Sequence, residues 1–478
     1  MRKPQPPPTV DLAARLAGPD GAEFVQQMLS ATALASTDRY LPWDELRNRR
    51  PPEGLTVEEW WAVLKIGRTA IQRKLPLLDK DGQNFSYALP DDALRGIELV
   101  DKQTSGRISA PAPVLPEAPT RERYVINSLI EEAITSSQLE GAATTRKVAK
   151  EMLRTGRRPR TRDERMILNN YTGMLRVREL RHERLTPAMV IEFHRIITDG
   201  TLDDQADCGR LQLPGEDRLV IVDCYDDEIM HAPPVATQLP ERLDRLCQFA
   251  NGDLDTAYVP PVVRAILLHF MLAYDHPFVD GNGRTARLVF YWSMLSQDYW
   301  LAEFLPISRL LKKAPAQYAR SFLHSEQDGG DLTYFVLYQL RIAQRAVNDL
   351  HEYLDRKVAE TQQVRQALKA VSHRFNLRQL ALLENAIRHP DGRYTVASHA
   401  RSHGVVAQTA RGDLHDLEEQ GLLTKTSSGR GYAWTPVDDL ERRLGTGSPD
   451  RVRKQPGQAK APDVSRGLPP AIRGSASR

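Results

Sequence analysis

Twelve consecutive residues, His276-Pro-Phe-Val-Asp-Gly-Asn-Gly-Arg-Thr-Ala-Arg287, constrain this chain more than any other stretch. They hold a titratable base, a carboxylate, two glycines around an asparagine and two arginines. An apolar helical pattern precedes them (Ile266, Leu267, Phe270, Met271, Tyr274), and Leu288, Tyr291, Trp292 and Leu295 follow at i, i+3, i+4, i+7. The spacing predicts a polar loop between two buried helices, the second starting at about Gly283. A helix start offers unpaired N–H groups and partial positive charge, and Gly281 and Gly283 let that backbone approach an anion. Asn282 adds a side-chain donor. Arg284 and Arg287, three apart, share a helix face and can grip phosphate oxygens in a fork. Asp280 is a hard-oxygen ligand suited to a magnesium that also touches phosphates. His276 is the side chain most easily poised to take a hydroxyl proton near neutral pH. Together the parts describe a phosphoryl-type transfer site, in which positioning matters more than covalent chemistry.

Composition sets outer bounds. The 478 residues suffice for two or three domains, and 27% charged with 41% hydrophobic is ordinary for a globular chain. No run of about 18 apolar residues occurs, and Met1-Arg2-Lys3-Pro4 lacks the apolar core of a signal peptide. Cys208, Cys224 and Cys247 form no Cys-x-x-Cys pair. The expectation is a reduced, cytoplasmic protein without disulfides, zinc or membrane contact. A net charge of +3 does not by itself imply a nucleic-acid partner.

The chain divides into four stretches on this reading. Residues 1–110 look irregular, with helical windows at Val25 to Leu34 and Val57 to Leu75, and with Trp43, Trp60 and Trp61 packing on something. Ala110 to Pro119, with four prolines, reads as an extended connector. From Arg121 to about Ala359 helical periodicity dominates. Leu185-Thr186-Pro187 marks one helix start, with Val190, Phe193, His194 and Ile197 recurring along that helix. The segment Val220, Ile221, Val222, an acidic turn, then Ile229, Met230, His231 reads as a short hairpin among helices. After a charged run at Glu352 to Lys369, residues 370–436 read as helix (Leu377 to Ile387), helix (Thr395 to His403, ending at Gly404), helix (Val406 to Gln420, ending at Gly421) and hairpin. That order resembles a winged helix-turn-helix. Between Asn376 and Pro436 it carries seven Lys/Arg against six Asp/Glu, so protein and DNA are equally open as its partner. Residues 437–478 read as a disordered basic tail.

The loop also resembles the Fic family signature, His-x-Phe-x-(Asp/Glu)-Gly-Asn-Gly-Arg-x-x-Arg, with every fixed position filled. Upstream, Ser136-Ser137-Gln138-Leu139-Glu140-Gly141 is similar to that family's inhibitory motif, (Ser/Thr)-x-x-x-Glu-(Gly/Asn). The resemblance implies a mainly α fold: a Fic-type helical core over 111–359, an inhibitory helix at about 121–141, a β-hairpin flap that clamps the target, and the C-terminal winged helix. It implies a protein adenylyltransferase that moves AMP from ATP, with Mg2+, to a Ser, Thr or Tyr hydroxyl of a protein. In that scheme His276 is the base and Asp280 the magnesium ligand. Gly281, Asn282 and Gly283 form the anion pocket, Arg284 contacts the phosphates, and Arg287 holds the γ-phosphate when free of Glu140. Family kinases of the Doc type carry lysine where this chain has Gly283. Physics supports the inhibitory pairing: a glutamate four residues from Ser136 on one helix face would neutralise an arginine otherwise awaiting phosphate. Two alternatives stay open, a de-AMPylase using the same residues and a winged-helix transcription regulator with a nucleotide-sensing core. A homodimer also stays open, as does the chain itself as the protein target.

Overall fold

The computed structural model describes residues 3–33, 39–104, 118–218, 220–222, 229–299, 302, 305–388, 392–428 and 431–445. It is mainly helical. The N-terminal part contains α1 (Leu12–Leu16), α2 (Gly21–Ala33), α3 (Trp43–Leu46), α4 (Val57–Ile71), the hairpin β1 (Arg73–Leu78) and β2 (Asn84–Tyr87), and α5 (Asp91–Thr104). The central part contains α6 (Ala118–Leu139), α7 (Arg146–Thr155), α8 (Arg162–Glu179), α9 (Pro187–Thr198), the hairpin β3 (Ile221–Val222) and β4 (Ile229–His231), α10 (Leu239–Ala250) and α11 (Pro261–Asp275). Then come α12 (Asn282–Ser296), α13 (Ile307–Lys313), α14 (Pro315–Gln327) and the long α15 (Thr333–Ala370). The chain falls into two compact units, Met1–His351 and Glu352–Arg478, so the division lies within α15. Among the described residues no helix is long and apolar enough to cross a membrane.

Local chemistry explains the boundaries that position the site. Thr186 caps α9 by accepting the Met189 N–H, with Pro187 at the first turn. Helix α11 is buried on nearly all faces: it is largely apolar, and its Arg264, His269 and Asp275 are buried as well. It ends at His276, whose φ of 45° and ψ of 54° lie in the left-handed region. Gly281, φ 82°, turns the chain back, and α12 starts at Asn282, one residue earlier than its spacing suggests.

The N-terminal region is less irregular than expected. The helix predicted over Val57 to Leu75 stops at Ile71, and Arg73–Leu78 is a strand instead, because Pro76 can neither donate in a helix nor tolerate a helical residue before it. Trp43, Trp60 and Trp61 pack with Phe24, Leu46, Leu55, Val63 and Leu64 in one cluster. The described residues among 1–110 belong to the same compact unit as the central helices. Their anchor is the turn before α15. Ser86 N–H donates to the Gly330 carbonyl and Leu332 N–H to the Ser86 carbonyl. Asp331, 1% exposed, accepts from Tyr40 Oη at 2.6 Å and Gln72 Nε2 at 2.8 Å. Most of the Ala110 to Pro119 connector lies outside the described residues, and α6 begins at Ala118.

The second unit has α16 (Leu377–Arg388), α17 (Val396–His403), α18 (Ala407–Glu419), β5 (Leu423–Ser428), β6 (Gly431–Pro436) and α19 (Leu440–Arg443). Gly404 and Gly421 end their helices with φ of 63° and 70°. Strands β5 and β6 pair antiparallel from Leu423 opposite Pro436 to Ser428 opposite Gly431. The expected tail from 437 starts too early. Val437, Leu440 and Leu444 recur at helical spacing, and the two leucines are buried in this unit's core. Residues 446–478 lie outside the described ones.

Candidate active site

The loop between α11 and α12 is held open by polar bonds that the sequence motif does not name. Asn282 is 2% exposed; its Oδ1 accepts the Phe278 N–H at 2.9 Å and its Nδ2 donates to the Phe278 carbonyl at 2.8 Å. That fixes its amide orientation. The same Nδ2 lies 3.1 and 3.3 Å from the two ring nitrogens of His276. Asp280 Oδ1 accepts the Gly281 N–H at 2.6 Å, and Oδ2 is 3.3 Å from Arg284 Nη2. The Asp280 carboxylate stays 48% exposed, while the Arg284 side chain is fully buried and donates to the Ile197 carbonyl at 3.0 Å.

His276 is a neutral base in this setting. Burial, then the nearby His231 and Arg218, push its pKa down to about 4, against the opposing pull of Glu140 and Asp280. Its left-handed backbone is an uncommon conformation for a side-chain-bearing residue, and such strain clusters at functional positions. Arg218 straps it there, donating to the carbonyls of His276 at 3.0 Å, Asp275 at 2.6 Å and Pro234 at 2.9 Å, and to Gln212. Asp275 accepts Arg242 through Nε at 2.8 Å and Nη2 at 2.6 Å, and Arg242 reaches on to the carbonyls of Leu78 and Asp79. The N-terminal hairpin thereby braces the end of the helix that presents the base.

Arg287, 2% exposed, is gripped from α6 and the turn after it. Its Nε donates to Ser136 Oγ at 2.8 Å, and Nη2 to Glu140 Oε1 at 2.9 Å and the Ser136 carbonyl at 3.2 Å. Burial would lower the guanidinium's pKa, but Glu140, Tyr318 and Glu132 outweigh it and hold it above the ordinary value. Among the described residues Arg287 Nη1 and Arg284 Nε have no hydrogen-bond partner, a cost for buried charged groups. Gly283 matters to this contact: a Cβ there would collide with Glu140 Oε1 and lie 3.2 Å from Arg287 Nη1.

The sequence-predicted residues thus separate into groups. Ser136, Glu140, Gly283 and Arg287 meet directly, and His276, Asp280, Asn282 and Arg284 line the same loop. Of the residues expected in the flap, Val220 and Ile229 are 39% and 53% exposed, whereas the consecutive Met230 and His231 are both buried. Ile221 pairs with His231 and Val222 with Ile229; their side chains, and residues 223–228, lie outside what is described.

Three residues that bond the loop or its neighbours escaped sequence reasoning. His194, fully buried on α9, accepts the Gly209 N–H at Nδ1 (3.1 Å), so its Nε2–H donates to the Asp280 carbonyl at 2.9 Å. Its ring stacks on Phe278 at 3.8 Å and 5°. Burial pushes its pKa down to about 4, consistent with that neutral tautomer. Glu132, 3% exposed on α6, accepts the Ser308 N–H at 3.0 Å and bonds the Ser308 hydroxyl. Burial raises its pKa, while Ser308 and Arg287 oppose. Arg218 is the third. A histidine or glutamate set into an apolar helical stripe was the available signal for the first two.

A histidine at a helix end, a glycine-flanked loop at the next helix start and two buried arginines thus lie together in a mainly helical unit. Residues 184–294 match the Fic/DOC family. The protein adenylyltransferase fic-1 of Caenorhabditis elegans is 28% identical over 168 residues, covering 35% of this chain and 28% of that protein. Protein adenylyltransferase Fic of Nematostella vectensis is 31% identical over 121 residues, covering 25% of this chain and 26% of that one. The matched part spans less than a third of either relative. A Fic family protein from Desulfovibrio desulfuricans G20 superposes with a TM-score of 0.47 at 18% identity, covering 74% of this chain and 98% of that one.

Proposed function

We propose that this chain is a protein adenylyltransferase held inactive by Glu140. The observation that carries the reading is the grip of Ser136 and Glu140 on Arg287, beside an anion loop and a neutral His276. The acceptor is a Ser, Thr or Tyr hydroxyl of a protein. Its oxygen attacks the α-phosphorus of ATP, the bond from that phosphorus to the bridging oxygen breaks, and pyrophosphate leaves. His276 takes the hydroxyl proton. The N-terminal amides of α12 and Arg284 hold phosphate oxygens, spreading the charge that builds up in flight. Arg287 orients the γ-phosphate once Glu140 leaves it.

Magnesium fits the donor set in one way. Among the described residues no three His, Cys, Asp or Glu side chains converge. Asp280, with its half-exposed carboxylate, would hold the ion while phosphates and water complete its shell. Bound there, the ion neutralises phosphate charge. Residues 370–436 we read as a winged helix. Its Asp413 does not count against nucleic acid, because it is 4% exposed and consumed by Arg378, Asn376 and His399.

Intact-mass measurement of the full chain after incubation with ATP and magnesium tests the activity. One added AMP per chain is expected, present in the Glu140→Gly variant and absent when His276→Ala is added. Equal modification with and without His276 would exclude this chemistry.

A further inference from the structure

Strand β4 ends on His231, whose side chain is 6% exposed. Its Nε2 lies 2.8 Å from the Tyr274 carbonyl oxygen, in the last turn of α11. Its Nδ1 lies 2.7 Å from Glu326 Oε2 on α14. A carbonyl only accepts, so Nε2 carries a hydrogen. A second hydrogen must lie between Nδ1 and Glu326, because two lone pairs at that distance repel. Placed on the ring, that hydrogen makes the pair an imidazolium against a carboxylate.

The surroundings suit that charge. From α11, Tyr274 lies ring to ring at 4.9 Å, and Asp275 and His276 follow it. Asp275 is already matched by Arg242 of α10, with Arg218 bonded to its carbonyl, so Glu326 remains for His231. On the other side of β4, Lys3 Nζ donates to the Ile229 carbonyl at 2.6 Å.

We propose that His231 and Glu326 are a positioning pair, a proton-holding latch that joins the flap strand and α14 to the helix end presenting His276. The latch sets the distance between the edge where an acceptor segment docks and the base that takes its proton. Its cation also stands among the groups that keep His276 unprotonated. The consequence for acceptor geometry rests on the transferase reading; the ionisation of His231 does not.

The test uses the full chain. With 15N-labelled histidine at neutral pH, both His231 nitrogens should show as protonated in the wild type. Glu326→Gln preserves the shape: its amide can donate to Nδ1 of a neutral ring while Nε2–H keeps Tyr274, so the fold and the latch persist without the extra proton. Glu326→Ala removes the partner. Amide exchange at Ile229 to His231 should then quicken about tenfold, the value of one charge-assisted hydrogen bond, and stay within about twofold in Glu326→Gln. In a Glu140→Gly background, Glu326→Ala should slow self-modification with ATP affinity by calorimetry unchanged. Glu326→Gln should instead move the acid limb of the rate profile up by about half a unit, since His276 loses a neighbouring cation. A singly protonated His231 ring in the wild type, or exchange unchanged by Glu326→Ala, overturns the latch. A doubly protonated ring with no AMP transfer by any variant leaves the latch standing and overturns the transferase reading.

Discussion

Glu140 and Gly283 fit because each leaves the other room. The carboxylate sits where a Cβ at 283 would be, so any side chain there displaces it from Arg287. Glycine at this position therefore does two things: it leaves the helix start open to an anion, and it leaves room for Glu140 beside Arg287. Arg284→Ala should weaken nucleotide binding about tenfold or more along with transfer, because a phosphate fork stabilises ground and transition states alike. Unchanged ATP affinity by calorimetry would remove Arg284 from the phosphate site. His276→Ala should instead leave ATP affinity within about twofold while transfer is lost, since the base acts on the acceptor. The loop residues were legible in the sequence because eight of them are specified within twelve positions. His194 and Arg218 were not, because their role is to bond backbone carbonyls 86 and 58 positions away, and nothing local in a sequence encodes such partners.

Elements were legible where caps and glycines punctuate them. Thr186-Pro187, Gly404 and Gly421 each sit at the end of a helix that periodicity alone had outlined. The β1–β2 hairpin was missed because Arg73–Leu78 continues an apolar pattern, and only Pro76 contradicts a helix. That hairpin earns its place by bracing Asp275 through Arg242 and by pairing with the turn at Asp331. Asp331→Ala should strand the buried Tyr40 hydroxyl and Gln72 amide and cost about 3 kcal/mol of stability. Chemical denaturation of the full chain measures it. A loss below about 1 kcal/mol would show that the N-terminal region is not anchored there.

At the scale of the molecule, four histidines whose pKa values are lowered make the fold sensitive to acid. Burial pushes His194, His276 and His324 down to about 4 and His269 to about 3, against an ordinary value of 6.5. Between those values the unfolded chain binds protons that the native chain refuses, so stability is full above 6.5 and is lost as pH falls toward 4. Glu132, Asp275 and Asp328, whose pKa values burial raises, act in the opposite sense, starting from lower ordinary values of 4.5 and 3.8. The melting temperature should fall by several degrees from pH 6.5 to about 5; a flat or rising trend would mean those histidines are not buried neutral. The sequence reading starts a separate unit after the charged run Glu352 to Lys369; the division falls at the start of that run, inside α15 (Thr333–Ala370).

The central claim is that Glu140 restrains Arg287 and thereby the transfer of AMP, and a mutant cycle reads it most directly. Full-length wild type, Glu140→Gly, Arg287→Ala and the double variant are incubated with ATP and magnesium, and the AMP gained per chain is followed by intact mass. The account predicts a rate for Glu140→Gly about tenfold or more above wild type, and loss of that gain in the double variant, as for two residues coupled through one contact. Equal modification of wild type and Glu140→Gly, both folded, would contradict it.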